Sequence, residues 1–416
     1  MLPRFYKQNK KVLYIVFSAL IVAVILLGSY LVQSKKIIKI GIIHSLTGNM
    51  AISERPLIHA YEMAIAEVNE NDGIPGAKIV PIIIDGETNP EVFAREAENL
   101  IVKEKVTAIF GCWTSLCRKA VKEVVEKYQS LLFYPLQYEG LEKSPNIIYL
   151  GAAPNQQIIP GVSWLVKQGR KRFFIIGSDY VFPRMAGLII KDMLHLLGVQ
   201  LVGEKYIPFQ SKSAMQEKQI SDIIQEAEAV KADVLINLIN GQDNVDFFKL
   251  LKRSGISSRE MPVLSMSVSE SEISAFSLDI REGDFAVWNY FQSLQTPENI
   301  TFVKKLRKFV GSNLSIGDPM EAAYIGIKLF AQACAESPGY NTVDIKNAIL
   351  YQNLLAPEGI VSVDRANLHL WKTVYVGKLL GSGQFDIVWS SVDPVKPQPY
   401  PMNRSISEWN EILKEK

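Results

Sequence analysis

From Ile38 onward, apolar and polar positions alternate between two rhythms. Ile38 to Ile43, Lys78 to Asp85 and Val106 to Phe110 are short runs rich in β-branched residues, and they read as strands. Between them, Leu57 to Asn69, Pro90 to Lys105 and Ser115 to Lys127 space their apolar residues along one helical face. Continuous apolar strands alternating with helices predict a parallel sheet covered on both sides. Crossovers of this length are right-handed βαβ units. The pattern then restarts, with strands at Arg172 to Ser178, Ala232 to Ile239 and Pro262 to Val268. Helices at Pro183 to Leu197, Met215 to Val230 and Asp243 to Ser254 lie between these strands. One sheet rarely absorbs so many units, so two lobes are expected. A return segment, Asp284 to Phe291, leads to helices near Pro297–Val310, Pro319–Glu336 and Val343–Tyr351. The tail changes rhythm. Gly359 to Val363, His369 to Leu379 and Phe385 to Trp389 alternate, and Gly381-Ser382-Gly383 interrupts them as an antiparallel hairpin would.

The N-terminus obeys neither rhythm. Arg4, Lys7, Lys10 and Lys11 precede Val12 to Val32, twenty-one residues without a charge. That length crosses a bilayer core of about 30 Å as a helix. Basic residues before it place the N-terminus in the cytoplasm and the rest of the chain outside. Cleavage sites want small residues where this chain has Ser29-Tyr30-Leu31, and no Cys follows to take a lipid. An uncleaved anchor is favoured over a cleaved signal peptide.

Composition narrows the function. Forty-five Lys and Arg against 43 Asp and Glu leave a net charge of +2, which argues against a nucleic-acid partner. Three cysteines, Cys112, Cys117 and Cys334, make no disulfide framework. The four histidines have no metal-ligand spacing with them, so neither metal nor cofactor is expected. The cysteines read as small buried apolar residues. No nucleophile–base set, Gly-x-Ser-x-Gly elbow or His-Glu-x-x-His is present, and no enzyme is expected.

The candidate chemistry gathers where strands end and helices begin, the ligand edge of an open α/β sheet. His44-Ser45-Leu46-Thr47-Gly48 follows the first strand, with Ser45 as a possible polar contact or a plain turn residue. Gly111-Cys112-Trp113-Thr114-Ser115 follows the third: Trp113 can wall a pocket, and Thr114 and Ser115 can donate or simply cap the helix. Leu131 to Phe133 ends in Tyr134-Pro135-Leu136-Gln137-Tyr138. Tyr134 and Tyr138 can stack on a small planar ligand whose edge pairs with Gln137. Asp179 and Tyr180, before a helix entered at Pro183, offer an acceptor and a second wall; a helix cap is the rival role for Asp179. Glu270 is either an acceptor in the cleft or a first-turn helix acid.

At these residues the chain resembles a known family. Gly-Cys-Trp-Thr-Ser-x-x-Arg-Lys-Ala-Val, Leu-Leu-Phe-Tyr-Pro-x-Gln-Tyr-Glu-Gly, the run Ser144 to Gln157 and Gly-Ser-Asp-Tyr-Val-Phe-Pro-Arg resemble the urea and short-chain-amide branch of type I periplasmic binding proteins. His44 to Gly48 with Ala51-Ile52-Ser53-Glu54 is similar to that branch's first loop. The resemblance covers about Ile38 to the C-terminus. It implies an α/β fold of two Rossmann-like lobes joined by three crossovers, with ligand in the cleft. Residues 38–152 and 292–357 would form lobe 1, residues 153–291 and 358–416 lobe 2, and residues 1–37 the signal or anchor. By position, Trp113, Ser115, Tyr134, Gln137, Tyr138 and Tyr180 match the family's pocket. Trp113 and Gln137 resemble the urea-transporter side of the branch more than its amide sensor. The resemblance implies an extracytoplasmic binding protein that closes on urea or a short amide and delivers it to the permease subunits of an ABC transporter. A membrane-tethered amide sensor is the alternative.

Overall fold

The computed structural model describes residues 35–209, 214–275 and 281–414, together with Phe17, Ser18 and Ile21. The expected anchor, Val12 to Val32, otherwise lies outside the described residues. Among the described residues, no helix is long and apolar enough to cross a membrane.

Two large sheets, parallel apart from one antiparallel edge, carry the two lobes. The first contains β1 (Lys36–His44), β2 (Ala77–Asp85), β3 (Ala108–Gly111), β4 (Leu132–Tyr134) and β5 (Ile147–Tyr149) in the order β2-β1-β3-β4-β5. All four pairings are parallel. Burial explains the continuous apolar runs: β3 and β4 are buried along their whole length because helices cover both faces. Helix Ala51–Glu70 packs with helix Asp318–Glu336, and helix Pro90–Val102 packs with helix Ser115–Lys127. Phe330, from the late helix, sets its ring edge-on against both Phe110 and Phe133, at 5.5 and 5.6 Å between centroids.

The second sheet contains β6 (Arg172–Ser178), β7 (Gln200–Ile207), β8 (Val234–Leu238), β9 (Val263–Ser265), β10 (Phe285–Trp288), β14 (Tyr375–Leu379) and β15 (Phe385–Ser390), ordered β15-β14-β10-β9-β8-β6-β7. β6 to β10 are parallel, whereas β14 and β15 join antiparallel at one edge, as the Gly381–Gly383 turn predicts. Three further strands, β11 (Asn353–Ala356), β12 (Gly359–Val363) and β13 (Leu370–Trp371), make a small antiparallel sheet. Val361, Val363 and Leu370 join the first lobe's core. The chain after Pro357, expected with the second lobe, therefore serves the first and rejoins the larger sheet only at Tyr375. His369 to Leu379, expected as one strand, is split between β13 and β14.

Each sheet reverses its winding once. In the first the reversal lies between β1 and β3; in the second it lies between β6 and β8. Both crevices open at the carboxyl ends of the strands, the place where open α/β sheets bind ligands.

Candidate functional site

The two crevices face each other and the lobes touch across them. The main-chain amide of Gln242 donates to the Asn49 carbonyl at 3.1 Å. The Asn49 side-chain amide reaches Asp243 at 3.5 Å. Deeper in, Gln137 donates from Nε2 to the Met266 carbonyl at 3.0 Å and to the Ser267 hydroxyl at 3.1 Å. Helix Ala51–Glu70 also packs against helix Glu270–Ala275 of the other lobe. This is a closed cleft. Two amide oxygens in it, Asn49 Oδ1 and Gln137 Oε1, are buried with no hydrogen-bond partner. An unmade bond at a buried polar atom costs about 1–3 kcal/mol.

The first-lobe wall is built by a constrained turn. Gly111 has φ of 143°, and a Cβ there would stand 2.0 Å from the Ile43 carbonyl oxygen, so only glycine fits. The Cys112 amide donates to that same carbonyl at 3.0 Å. The next residue, Trp113, is buried, and its carbonyl accepts from the Tyr134 hydroxyl at 2.6 Å. Thr114 caps helix Ser115–Lys127 by accepting from the Cys117 amide, and its hydroxyl donates to Cys117 Sγ. Ser115 donates to Glu139 and accepts from Arg118 Nη1 at 2.8 Å. Both hydroxyls are thus committed inside the lobe. Ser45 is committed as well, its hydroxyl accepting from the Thr88 amide at 3.1 Å.

Tyr138 corrects the sequence reading. It turns away from the cleft and bonds His369 Nε2 at 2.6 Å. Its ring packs beside those of Tyr149 and His369, which stack directly on each other at 4.1 Å, and burial holds His369 neutral with a pKa pushed down to about 3. The same inner layer holds Arg118, which donates from Nε to Glu142 at 3.0 Å and from Nη2 to Glu139 at 2.9 Å. Tyr134 belongs partly to this layer, with the Arg118 guanidinium 5.2 Å from its ring centre.

In the second lobe, Tyr180 is buried and packs on Phe182 and Phe209, while its own fold position follows β6 at the crevice. Asp179 neither caps the helix, which begins at Val181, nor enters the closed cleft. Its side chain is about half exposed (47%) and pairs with Arg184 at 2.7 Å. It lies on the rim of a surface pocket of about 580 Å³ with Leu116, Lys119, Tyr180 and Leu413. Glu270 is fully buried, but one oxygen accepts from the Gln292 amide at 2.7 Å, beside the crossover out of β10. Burial pushes its pKa up to about 8.

Sequence reasoning missed the end of β8. Gly241, Gln242 and Asp243 meet Asn49 and Met50 so closely that a Cβ on Gly241 would stand 2.7 Å from the Asn49 carbonyl. The paired glycine–polar run Asn240-Gly241-Gln242-Asp243 after an apolar strand was the available signal. Glu54 was also missed as a candidate. It is fully buried; one oxygen, Oε2, takes His44 Nδ1 at 2.7 Å and the Ser45 amide at 3.0 Å, while Oε1 has no partner.

Comparison with known proteins gives this geometry a context. The family model described as periplasmic binding protein domain matches residues 38–406. A solved ABC-transporter solute-binding protein from R. palustris, in complex with 4-hydroxybenzoate, superposes with a TM-score of 0.78 at 21% identity, covering 86% of this chain and 98% of its own. A Leu/Ile/Val-binding protein homolog from Brucella melitensis is 21% identical over 82% of this chain and 87% of its own length. A protein named limonene hydroxylase from Geobacillus stearothermophilus is 33% identical over 129 residues, 31% of this chain but only 24% of that protein.

Proposed function

This chain belongs to the periplasmic binding protein family, and from that premise we propose that it captures urea or a short-chain amide outside the cytoplasm for an ABC transporter, without catalysing a reaction. The observation that carries the reading is the pair of orphaned amide oxygens, Asn49 Oδ1 and Gln137 Oε1, in a cleft the two lobes have closed. Both are acceptors. The ligand that completes them is a donor of N–H bonds, and urea carries four on a small plane. Trp113 and Tyr180 supply aromatic surface for that plane, and the first-turn amides of helix Ser115–Lys127 supply donors for its carbonyl.

A ligand bearing a carboxylate asks for the opposite. It needs donors or a cation, yet the buried Arg118 beside this edge is spent on Glu139, Glu142 and Ser115. Asp243, which takes the Asn49 side-chain amide across the cleft, brings a carboxylate rather than a cation to this edge. Closure proceeds as a hinge motion. Ligand shifts the population toward the closed state only through contacts it makes there and not in the open one.

Calorimetry on the chain from about Lys36 tests this directly. Urea or acetamide should release heat and saturate, with leucine and 4-hydroxybenzoate showing weaker binding. Tighter binding of either carboxylate than of every amide would overturn the reading.

A further inference from the structure

We propose that Glu54 is the specificity-determining anchor of this site, accepting an unsubstituted –NH₂ group of the ligand through Oε1, with His44 as its positioning residue. The inference rests on the amide reading and adds to it the residue that selects the ligand's amino group.

The argument begins with placement. Glu54 stands in the first turn of helix Ala51–Glu70, directly after the loop that leaves β1. Its Oε2 accepts the Ser45 amide, so the carboxylate lies at the carboxyl end of β1. The turn leaving β3 meets the same strand end, the Cys112 amide donating to the Ile43 carbonyl at 3.0 Å. Glu54 therefore sits in the β1/β3 crevice, the winding reversal of the first sheet. Just ahead of it, the Asn49 carbonyl accepts the Gln242 amide of the opposite lobe, and helix Ala51–Glu70 packs against helix Glu270–Ala275 of that lobe, which puts the start of this helix at the lobe interface.

Satisfaction of its two oxygens is unequal. Holding the loop together uses Oε2 alone, through His44 and Ser45. Oε1 is as deeply buried and bonds to nothing among the described residues. His44 is itself fixed, with Nδ1 on Glu54 at 2.7 Å and Nε2 3.4 Å from the Tyr61 hydroxyl. This clamp holds the carboxylate plane in one orientation. A loop-organising role leaves Oε1 unexplained, and a ligand N–H explains it. A carboxylate oxygen accepts and cannot donate, so an isosteric ligand with oxygen or methyl in place of –NH₂ is rejected.

The test compares wild type with Glu54→Gln and Glu54→Asp. The glutamine keeps an acceptor for the Ser45 amide and places a donor where Oε1 stood. Titrations use urea, acetate, and formamidinium, which is a planar N–H donor of urea's size without a carbonyl. Wild type should bind urea and formamidinium and reject acetate. Glu54→Gln should weaken both by about tenfold or more, the effect of one lost hydrogen bond to a charged group. Melting of the unliganded protein should change little, and Glu54→Asp should recover part of the affinity. Unchanged affinity of Glu54→Gln for urea overturns the anchor while leaving the amide reading in place. If wild type binds formamidinium through Glu54 but no amide, the amide reading fails and the anchor stands. If wild type binds neither, both fail.

Discussion

Arg118 and Glu54 are both fully buried charges near the first lobe's ligand edge, but their partners differ in number. Arg118 bonds Glu139, Glu142 and Ser115, and lies over the ring of Tyr138 at 4.6 Å. Glu142 in turn accepts from the Tyr149 hydroxyl at 2.9 Å, with Lys119 and Lys122 within 3.7 and 3.6 Å of its other oxygen. Burial pushes the Glu142 pKa up, but Arg118, Lys122 and Lys119 overcome that and draw it down to about 2. Glu54 has partners on one oxygen only. The difference separates two uses of buried charge. A completed network fixes the wall that carries Trp113; an incomplete one keeps a bond in reserve for whatever enters.

The largest expected effect breaks the completed network. Arg118→Met should cost about 3–5 kcal/mol, because Glu139 and Glu142 are left buried without their cation. Urea denaturation is confounded by binding, so guanidinium denaturation monitored by circular dichroism is the measurement. A loss below about 1 kcal/mol would put Arg118 on the same footing as Glu54 and erase the contrast.

Next in size is Trp113→Ala. Removing an aromatic wall should weaken ligand binding by about 1–3 kcal/mol, read by calorimetry. The Tyr134 bond to the residue 113 carbonyl is a main-chain contact and survives the change. Unliganded stability that collapses while affinity per folded molecule holds would assign Trp113 to the core.

A third effect is read along the pH axis and concerns Glu270, an acid whose second oxygen is likewise unpaired. Burial raises its pKa to about 8, against an ordinary carboxyl of about 4.3. The folded protein therefore holds a proton that the unfolded chain releases. This contribution is whole below about pH 4 and fades as pH rises through 8. Melting temperatures should show wild type losing stability relative to Glu270→Gln between about pH 5 and 8. Parallel curves would mean that Glu270 is ionised in the fold.

Much of the architecture was readable because buried parallel strands are apolar throughout and cannot be mistaken for surface. β7 escaped notice for the converse reason: Gln200–Ile207 is an edge strand with Glu204 and Lys205 on it, and only Ile207 is fully buried. The C-terminal helix Ile406–Lys414 escaped too, since Trp409 is its one fully buried residue and Ile412 and Leu413 pack on the core only partly buried. At the site, the strand ends were legible but side-chain direction was not. Tyr134 and Tyr138 bracket a turn, and nothing local says that Tyr138 faces His369, 231 positions away. Glu54 hid behind an ordinary role, an acid in a helix's first turn. Its signal was long-range: a histidine closing a strand, answered ten residues later by that acid.

The late return of the chain to both sheets sets an order on synthesis. Every strand of the first sheet is complete by Tyr149, but Phe330, which covers Phe110 and Phe133, comes 181 residues later by the same numbering. β10 waits in the same way for β14, which begins at Tyr375. A nascent chain halted near residue 290 thus has two exposed cores and no finished lobe. Folding is governed by pairings of high sequence separation, which are slow to form and prone to aggregation while they wait. Truncation from the C-terminus therefore dismantles both lobes at once.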